Sequence, residues 1–156
     1  MEITKEQLDK MLLDHKEWLD SEGKSGKRFE FHGDLRDADL SNADLRRADL
    51  RWSNLGCADL SGDDLREANL KEADLIGSNL SDADLRDAYL RRANLRCANL
   101  MKSYLSNACL ISSDLRNSNL SSTDLSNVDL RLADLSGAIL DKEELAKAIT
   151  NKDTVF

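Results

Sequence analysis

The chain has 156 residues, of which 28 are leucine, none is proline and only 4% are aromatic. Its 30 acidic and 22 basic residues give a net charge of −8, which disfavours nonspecific binding to DNA or to anionic membranes. No apolar run approaches the ~18 residues that a membrane-spanning helix needs. The composition therefore excludes a membrane-spanning protein and a core built on large aromatic rings.

The compartment is predicted from the N-terminus and from the cysteines. Residues 1–6 are polar and acidic and do not have the pattern of a signal peptide. The cysteines Cys57, Cys97 and Cys109 are sparse and odd in number, which does not make a disulfide framework. We therefore expect a reduced, cytoplasmic environment.

Residues 1–32 are predicted to form an N-terminal capping helix and a lead-in to the next element. Thr4 and Gln7 fit a capping box, which marks the start of a helix, and Gly23 is a helix stop signal. One apolar face follows at helical spacing and consists of Leu8, Met11, Leu12, His15, Trp18 and Leu19. Because His15 lies on this face, we expect it to have a packing role.

Residues 33–140 contain an unbroken repeat of five residues. Leucine occupies every fifth position from Leu35 to Leu140, which makes 22 leucines in one register. The residue two positions before leucine is Ala thirteen times and Ser five times, and the residue directly before it is Asp twelve times and Asn six times. The unit is therefore A-(D/N)-L-x-x, as in Ala38-Asp39-Leu40-Ser41-Asn42.

A period of five fits neither a helix, which repeats every 3.6 residues, nor a strand, which repeats every two. The leucines can share one core only if the chain bends regularly, with each unit forming one short side of a coil. Stacked coils then pair their backbones as neighbouring strands do. The absence of proline agrees with this arrangement, because proline cannot donate a hydrogen bond to such a ladder.

The repeat resembles that of the pentapeptide-repeat family, and the resemblance covers residues 33–140. It implies an all-β solenoid, a right-handed quadrilateral β-helix with 20 residues per coil. The repeat would make about 5.5 coils, with short capping helices at both ends. The leucine and the small residue two positions before it would point inward, which predicts a structural core that includes Leu40, Leu60, Leu80, Leu100, Leu120, Ala38, Ala58 and Ala98.

Residues 141–156 are predicted to form a C-terminal capping helix and tail. Asp141 and Glu144 fit a capping box, and Leu145, with the apolar residues that follow it, makes a short apolar face. The last two residues, Val155 and Phe156, either cover the final coil or bind a partner.

The search for chemistry predicts no catalytic, cofactor-binding or metal-ligating residue. None of the common hydrolase, metalloprotease or calcium-binding motifs is present, and the many Asp residues are typical of repeated turns. Asp63 is an exception, because it occupies a position that is expected to point inward. A buried carboxylate is costly, so Asp63 should be hydrogen-bonded or rotated outward. Both a strained coil and a functional site stay open.

The outer surface can be interpreted in columns of residues that are 20 positions apart. One face carries a column of Asp (44, 64 and 84) beside a column of Arg (46, 66 and 86), whose fields largely cancel. Some pentapeptide-repeat proteins, those of the quinolone-resistance kind, are similar in shape and charge to duplex DNA and bind gyrase. The interspersed arginines weaken such mimicry in this chain.

Apolar residues at outward positions form a candidate interaction surface. Four of them share the third face, namely Tyr89, Cys109, Ile111 and Leu132. Trp52 belongs to the same face nearer the N-terminus, and Met101 and Tyr104 belong to neighbouring faces. The alternative is that the tyrosines simply stack along a ladder.

These features predict a non-catalytic, rigid scaffold or protein-interaction module without cofactors. Its expected partner is an unidentified protein, or a second copy bound through the C-terminal end or through the Tyr89/Ile111 face. Neither direct nucleic-acid binding nor membrane binding is expected. One alternative is a DNA-mimicking binder of gyrase. The other is an enzyme, which would need a cleft with convergent polar groups near Asp63, at the termini or between two chains.

Overall fold

The computed structural model describes residues 3–156, so Met1 and Glu2 of the predicted N-terminal cap lie outside the described residues. Helix α1 spans Lys5–Asp20, strand β1 Asn119–Leu120, strand β2 Ile139–Leu140 and helix α2 Lys142–Leu145. Strands β1 and β2 pair in parallel. Within residues 3–156, neither helix combines the length and the apolar character that crossing a lipid bilayer requires.

The repeat region is a stack of coils. Parallel backbone bridges join residues that are 20 positions apart, from the Asp34–Asn54 pair to the Asp114–Asp134 pair. Each coil therefore contains four of the five-residue units. The leucine of every unit from Leu35 to Leu135 is at most 2% exposed, so the leucines fill the interior of the stack.

A turn after each leucine produces the regular bend. After Leu60, for example, the backbone N–H of Asp63 donates to the carbonyl of Leu60 at 3.2 Å. The second residue after leucine, in every unit from Asp37 to Gly137, has a φ between 55° and 73°. For residues other than glycine this left-handed conformation costs roughly 1 kcal/mol or more. From Asp37 to Asn117 the same residue donates its N–H to a carbonyl of the next coil, which offsets that cost.

In the five residues from Asp59 to Asp63, every backbone N–H is hydrogen-bonded. Asp59 donates to Ala38 of the preceding coil at 2.9 Å, and Leu60 and Gly62 donate to the following coil at 2.8 and 2.9 Å. The remaining donor, the N–H of Ser61, is bound by the side chain of Asp59 at 3.0 Å. Asp or Asn before leucine thus satisfies the donor that the ladder leaves over, and proline would remove a bond at any of the five positions.

Helix α1 lies against the first coil. Thr4 and Gln7 form the predicted capping box, with side-chain to backbone bonds of 3.2 and 2.9 Å. His15 is fully buried, as its expected packing role requires. Its Nδ1 accepts from the N–H of Phe29 and its Nε2 donates to the carbonyl of Arg46, both at 3.0 Å. Burial lowers the pKa of His15, so the ring is neutral and joins the helix, the lead-in and the first coil.

Two of the alanines expected in the core are only half-buried. Ala38 and Ala43 belong to the first coil, which has no coil before it, and α1 covers them incompletely. Ala38 was predicted to be a core residue, but it packs against the core and is only partly buried. Ala58 and Ala98, which have coils on both sides, are fully buried.

The predicted capping box at the start of α2 is wrong. Asp141 makes no side-chain bond to its own helix. Its Oδ2 instead accepts from the N–H of Ser122 at 2.9 Å, and Oε2 of Glu144 accepts from the N–H of Leu125 at 3.4 Å. These donors belong to the last regular coil and point toward a coil that the repeat no longer supplies. The two carboxylates take the place of its carbonyl groups.

The segment that follows α2 returns to the ladder instead of extending the helix. The carbonyls of Lys147, Ile149 and Val155 accept from the N–H groups of Asn127, Leu130 and Leu135 at 3.1, 2.8 and 2.8 Å, respectively. Helix α2 is therefore only four residues long. The side chains of Val155 and Phe156 stay largely exposed.

Candidate interaction surface

Acidic and basic side chains on the outer wall neutralise each other within single units. In seven units the Asp before leucine binds the Arg after it, at Nη2–Oδ2 distances of 2.5–2.7 Å. Arg66 also approaches Asp84 of the next coil at 3.6 Å, which makes a ladder of alternating charge. Hydrogen bonds from Arg51 lower the pKa of Asp49 to about 2, so this carboxyl is ionised at neutral pH.

Three units carry a cation after leucine but no acid before it, a departure that the sequence interpretation missed. The cations are Lys71, Arg91 and Arg96, and Asn69, Tyr89 and Asn94 take the place of Asp. Lys71 pairs with Glu72 at 3.5 Å. Within residues 3–156, neither Arg91 nor Arg96 has an acidic group within the 4 Å of an ion pair. The departures can be found in the repeat by checking which cations lack an Asp two positions earlier.

The structure brings together four of the seven predicted surface residues. Tyr89 is 57% exposed and pairs through its backbone with Cys109 of the next coil. Ile111 follows Cys109 in the same unit, and both side chains are half-buried. Leu132, 50% exposed, belongs to the same face one coil further on. We call this the Tyr89 face.

The other three residues lie elsewhere. Tyr104 is exposed in a different column, where its backbone neighbours are Asp84 and Asp124. Because Tyr89 and Tyr104 occupy different columns, the tyrosines do not stack along one ladder. Met101 is half-buried on a face that carries neither tyrosine. The seven residues therefore do not make one continuous patch.

Trp52 is tied to the N-terminal lead-in despite its exposure. Its ring contacts that of His32 edge-on, with centroids 5.6 Å apart, and Arg51 lies over it at 4.9 Å. Its Nε1 donates to Glu72 in the next coil at 3.2 Å. These contacts give Trp52 a structural role at the first coils.

Asp63 points into the stack and is 1% exposed. Its Oδ1 accepts from the N–H of Ala43 at 2.9 Å, whereas its Oδ2 is buried without a hydrogen-bond partner. The sequence predicted that Asp63 is either hydrogen-bonded or rotated outward. The carboxyl is hydrogen-bonded, but only through one of its two oxygens. Burial raises the pKa of Asp63 to about 8, so the group is mostly protonated at neutral pH.

A cleft of about 460 Å³ lies between α1 and the first coil. Its lining contains Thr4, Asp34 and Asp39 but no His, Cys or Ser. Hydrogen bonds with Arg36 and Ser41 lower the pKa of Asp34 and of Asp39, respectively, so neither carboxyl retains a proton for acid catalysis near neutral pH. In the part of the chain that the structure describes, no three His, Cys, Asp or Glu residues are grouped to hold a metal ion.

Comparisons with known proteins agree with the repeat. A family model for pentapeptide repeats matches eight copies, within residues 33–71, 68–107 and 98–137. The chain is similar to the crystal structure of a pentapeptide repeat protein from the Arabidopsis thaliana thylakoid lumen, with 28% identity over 74% of each chain and a TM-score of 0.52.

Two further solved structures are more distant. Rfr23 from the cyanobacterium Cyanothece 51142 is 28% identical, over 80% of this chain and 86% of its own, with a TM-score of 0.37. The plasmid-mediated fluoroquinolone resistance protein QnrB1 is 19% identical, over 80% and 92%, with a TM-score of 0.36. Scores this low carry no argument about function. No curated protein matches the chain significantly.

Proposed function

The chain belongs to the pentapeptide-repeat family, and from that premise we propose that it is a non-catalytic, rigid scaffold that binds another protein. The proposal takes the solenoid as right-handed and four-sided, with about 5.5 regular coils over residues 33–140. Residues 1–32 and 141–156 close its ends. The free cysteines agree with a reducing compartment such as the cytoplasm.

The observation that carries the proposal is the composition of the Tyr89 face. On a wall of paired Asp and Arg, this face presents Tyr89 and Leu132 exposed, with Ile111 between them in chain order. Exposed apolar residues that share a face mark an interaction site, whereas scattered ones mean little. The backbone ladder behind the face holds these side chains at fixed spacing, so little ordering is needed on binding.

Affinity capture with matched variants tests the proposal. Replacing Tyr89 and Ile111 with Ser is expected to remove the partner from the captured material, because the variant loses the apolar contact area. The control is Tyr104→Ser, which removes an equally exposed tyrosine from another face. Capture of the same partners by all three proteins contradicts the proposal.

A second copy of the chain is a further candidate partner, favoured by the C-terminal end. Four apolar side chains of the last coil are exposed there, namely Ile139, Ile149, Val155 and Phe156, with Ile139 and Phe156 at 62%. Replacing Ile139 and Phe156 with Ser should convert a dimer to a monomer in light scattering. A wild-type chain that is monomeric at high concentration excludes this partner.

The alternatives receive less support. Mimicry of DNA needs a field of uncompensated negative charge, and Arg neutralises much of the Asp on the wall. An enzyme needs convergent reactive groups, whereas the lining of the cleft beside α1 contains no His, Cys or Ser, and its Asp34 and Asp39 carboxyls retain no proton near neutral pH. Gyrase supercoiling assays with the purified chain are expected to show no inhibition.

A further inference from the structure

The wall follows a rule that two arginines break. An Arg after leucine normally meets the Asp of its own unit and, in three cases, also the Asp of the same column in the next coil. For Arg91, Tyr89 occupies the position of the Asp in its own unit, and Cys109 occupies the position of the Asp in the next coil. Both acids that the repeat could supply are therefore absent around Arg91.

Arg96, one unit further along the chain, is similarly placed. Asn94 stands where its own unit would carry Asp. The next acid of the column, Asp114, is already bound by Arg116 at 2.5 Å. The pKa of Asp114 is lowered chiefly by these bonds and only to a smaller extent by the charge of Arg96. Arg96 is thus left without a partner of its own.

Arg91 adjoins the apolar part of the Tyr89 face, and Arg96 belongs to the neighbouring face, one unit further along the chain. Arg91 is in the same unit as Tyr89, and Ile111 occupies the position of Arg91 in the next coil. Tyr89 and Arg91 are of the residue types that are enriched in interface hot spots, and the half-buried Ile111 adds an apolar side chain beside them. Arg is also weakly hydrated and binds carboxylates through two parallel hydrogen bonds, so it is suited to a contact from which water is excluded.

We propose that Tyr89, Arg91, Arg96 and Ile111 form a docking site for an acidic segment of a partner protein, whose carboxylates bind the two arginines and whose apolar side chain packs on Tyr89 and Ile111. This inference rests on the proposed scaffold function and adds the chemistry of the partner.

Charge favours an acidic protein segment over a nucleic acid. A polyanion needs a long track of cations, whereas only two unpaired arginines are present here and Glu72 and Asp114 flank them. Arg92, next to Arg91, forms an ion pair with Glu72 at 3.9 Å. Because its charge is partly neutralised, Arg92 extends the site only slightly.

The test uses a fluorescein-labelled synthetic peptide of glutamates interspersed with leucines, and a matched peptide with glutamine at every glutamate. Fluorescence anisotropy is measured with the full chain and with the Arg91→Ser/Arg96→Ser variant. We expect the variant to bind the glutamate peptide roughly tenfold more weakly or worse, and the glutamine peptide to bind poorly to both proteins. Tyr89→Ser is a second variant with the same expected direction.

The matched control is Arg66→Ser/Arg86→Ser, which changes the net charge equally but removes arginines that are already paired with Asp. Equal loss in both double variants, or equal binding of both peptides, overturns the inference. Tighter binding of a single-stranded oligonucleotide or of a phosphotyrosine peptide also overturns it. If affinity capture still depends on Tyr89 while Arg91 and Arg96 have no effect, the scaffold function stands and only the acidic partner fails.

Discussion

At the scale of the residue, Asp63 and His15 are buried titratable groups whose environments make stability depend on pH. His15 is neutral in the folded chain and its pKa is lowered by burial, so it favours unfolding only as the pH falls below about 6.5. Asp63 affects the stability of the chain at higher pH than His15 does. Its folded-state pKa of about 8 lies far above the 3.8 of the unfolded chain, so the folded state retains a proton that the unfolded state releases.

Replacing Asp63 with Ser is predicted to stabilise the chain, and more so as the pH rises. Between pH 7 and 8 the unfolding free energy of the wild type should fall by about 1 kcal/mol, since only the folded state is protonated there. Serine at an inward position donates to the carbonyl three residues earlier, as Ser53 does at 2.7 Å, and adds no titrating group. Urea denaturation of the wild type and of the variant at pH 7 and 8 measures how the unfolding free energy of each protein changes with pH.

The reciprocal variant Ser78→Asp provides the control for this prediction. Ser78 is equally buried at the same position of another unit. The new carboxyl should destabilise the chain and steepen the fall of stability with pH. An Asp63→Ser variant that keeps the wild-type slope between pH 7 and 8 would show that Asp63 is not the group responsible.

At the scale of the element, side chains at each end of the stack bind backbone groups that have no neighbouring coil to pair with. The first coil lacks a preceding coil, and His15 donates to the carbonyl of Arg46 that would otherwise stay unpaired. The last coil lacks a following one, and Asp141 and Glu144 accept from its N–H groups. The caps thus supply donors at one end and acceptors at the other, at the positions where regular units would supply them.

Asp141→Ala is predicted to loosen the last coil. The variant leaves the N–H of Ser122 without its acceptor, which should cost about 1 kcal/mol of unfolding free energy. Hydrogen exchange should quicken at the Ser122 amide but stay unchanged at the amide of Gly62, far from this end. The control Glu143→Ala removes an exposed carboxyl from the same helix and should change stability by less than about 0.5 kcal/mol.

At the scale of the whole molecule, stability is distributed along a stack in which each coil contacts only its neighbours. Leu80 is fully buried with coils on both sides, whereas Leu140, in the same column, is only partly buried at the end. The outer wall is electrically balanced within units, so the net charge of −8 is not concentrated on the face that carries the Asp and Arg columns.

Leu80→Ala is predicted to cost about 3–5 kcal/mol, because the rigid backbone ladder cannot collapse around the cavity. Leu140→Ala should cost less than about 2 kcal/mol, since its side chain already meets solvent. Thermal and chemical denaturation of the two variants measure the difference. Equal losses would mean that the terminal coil is as tightly packed as the middle.

Much of the fold follows from the sequence because its period is local and repeated. A leucine at every fifth position requires a bend in each unit, and the absence of proline agrees with units whose backbone donors serve the ladder and the turns. The apolar exceptions at Tyr89 and Leu132 were also visible in the sequence, since the repeat assigns each position to the interior or to the surface.

Only the tertiary structure shows which groups bind the side chains that depart from the repeat or follow it. The carboxylates of Asp141 and Glu144 had the spacing of a capping box, but the unpaired N–H groups of the last coil bind them instead. Trp52 had the pattern of a free surface residue, but contacts with His32 and Glu72 engage it. Such partners lie 19 or 20 residues away or in the irregular lead-in, and only the stacking of coils brings them within hydrogen-bond distance.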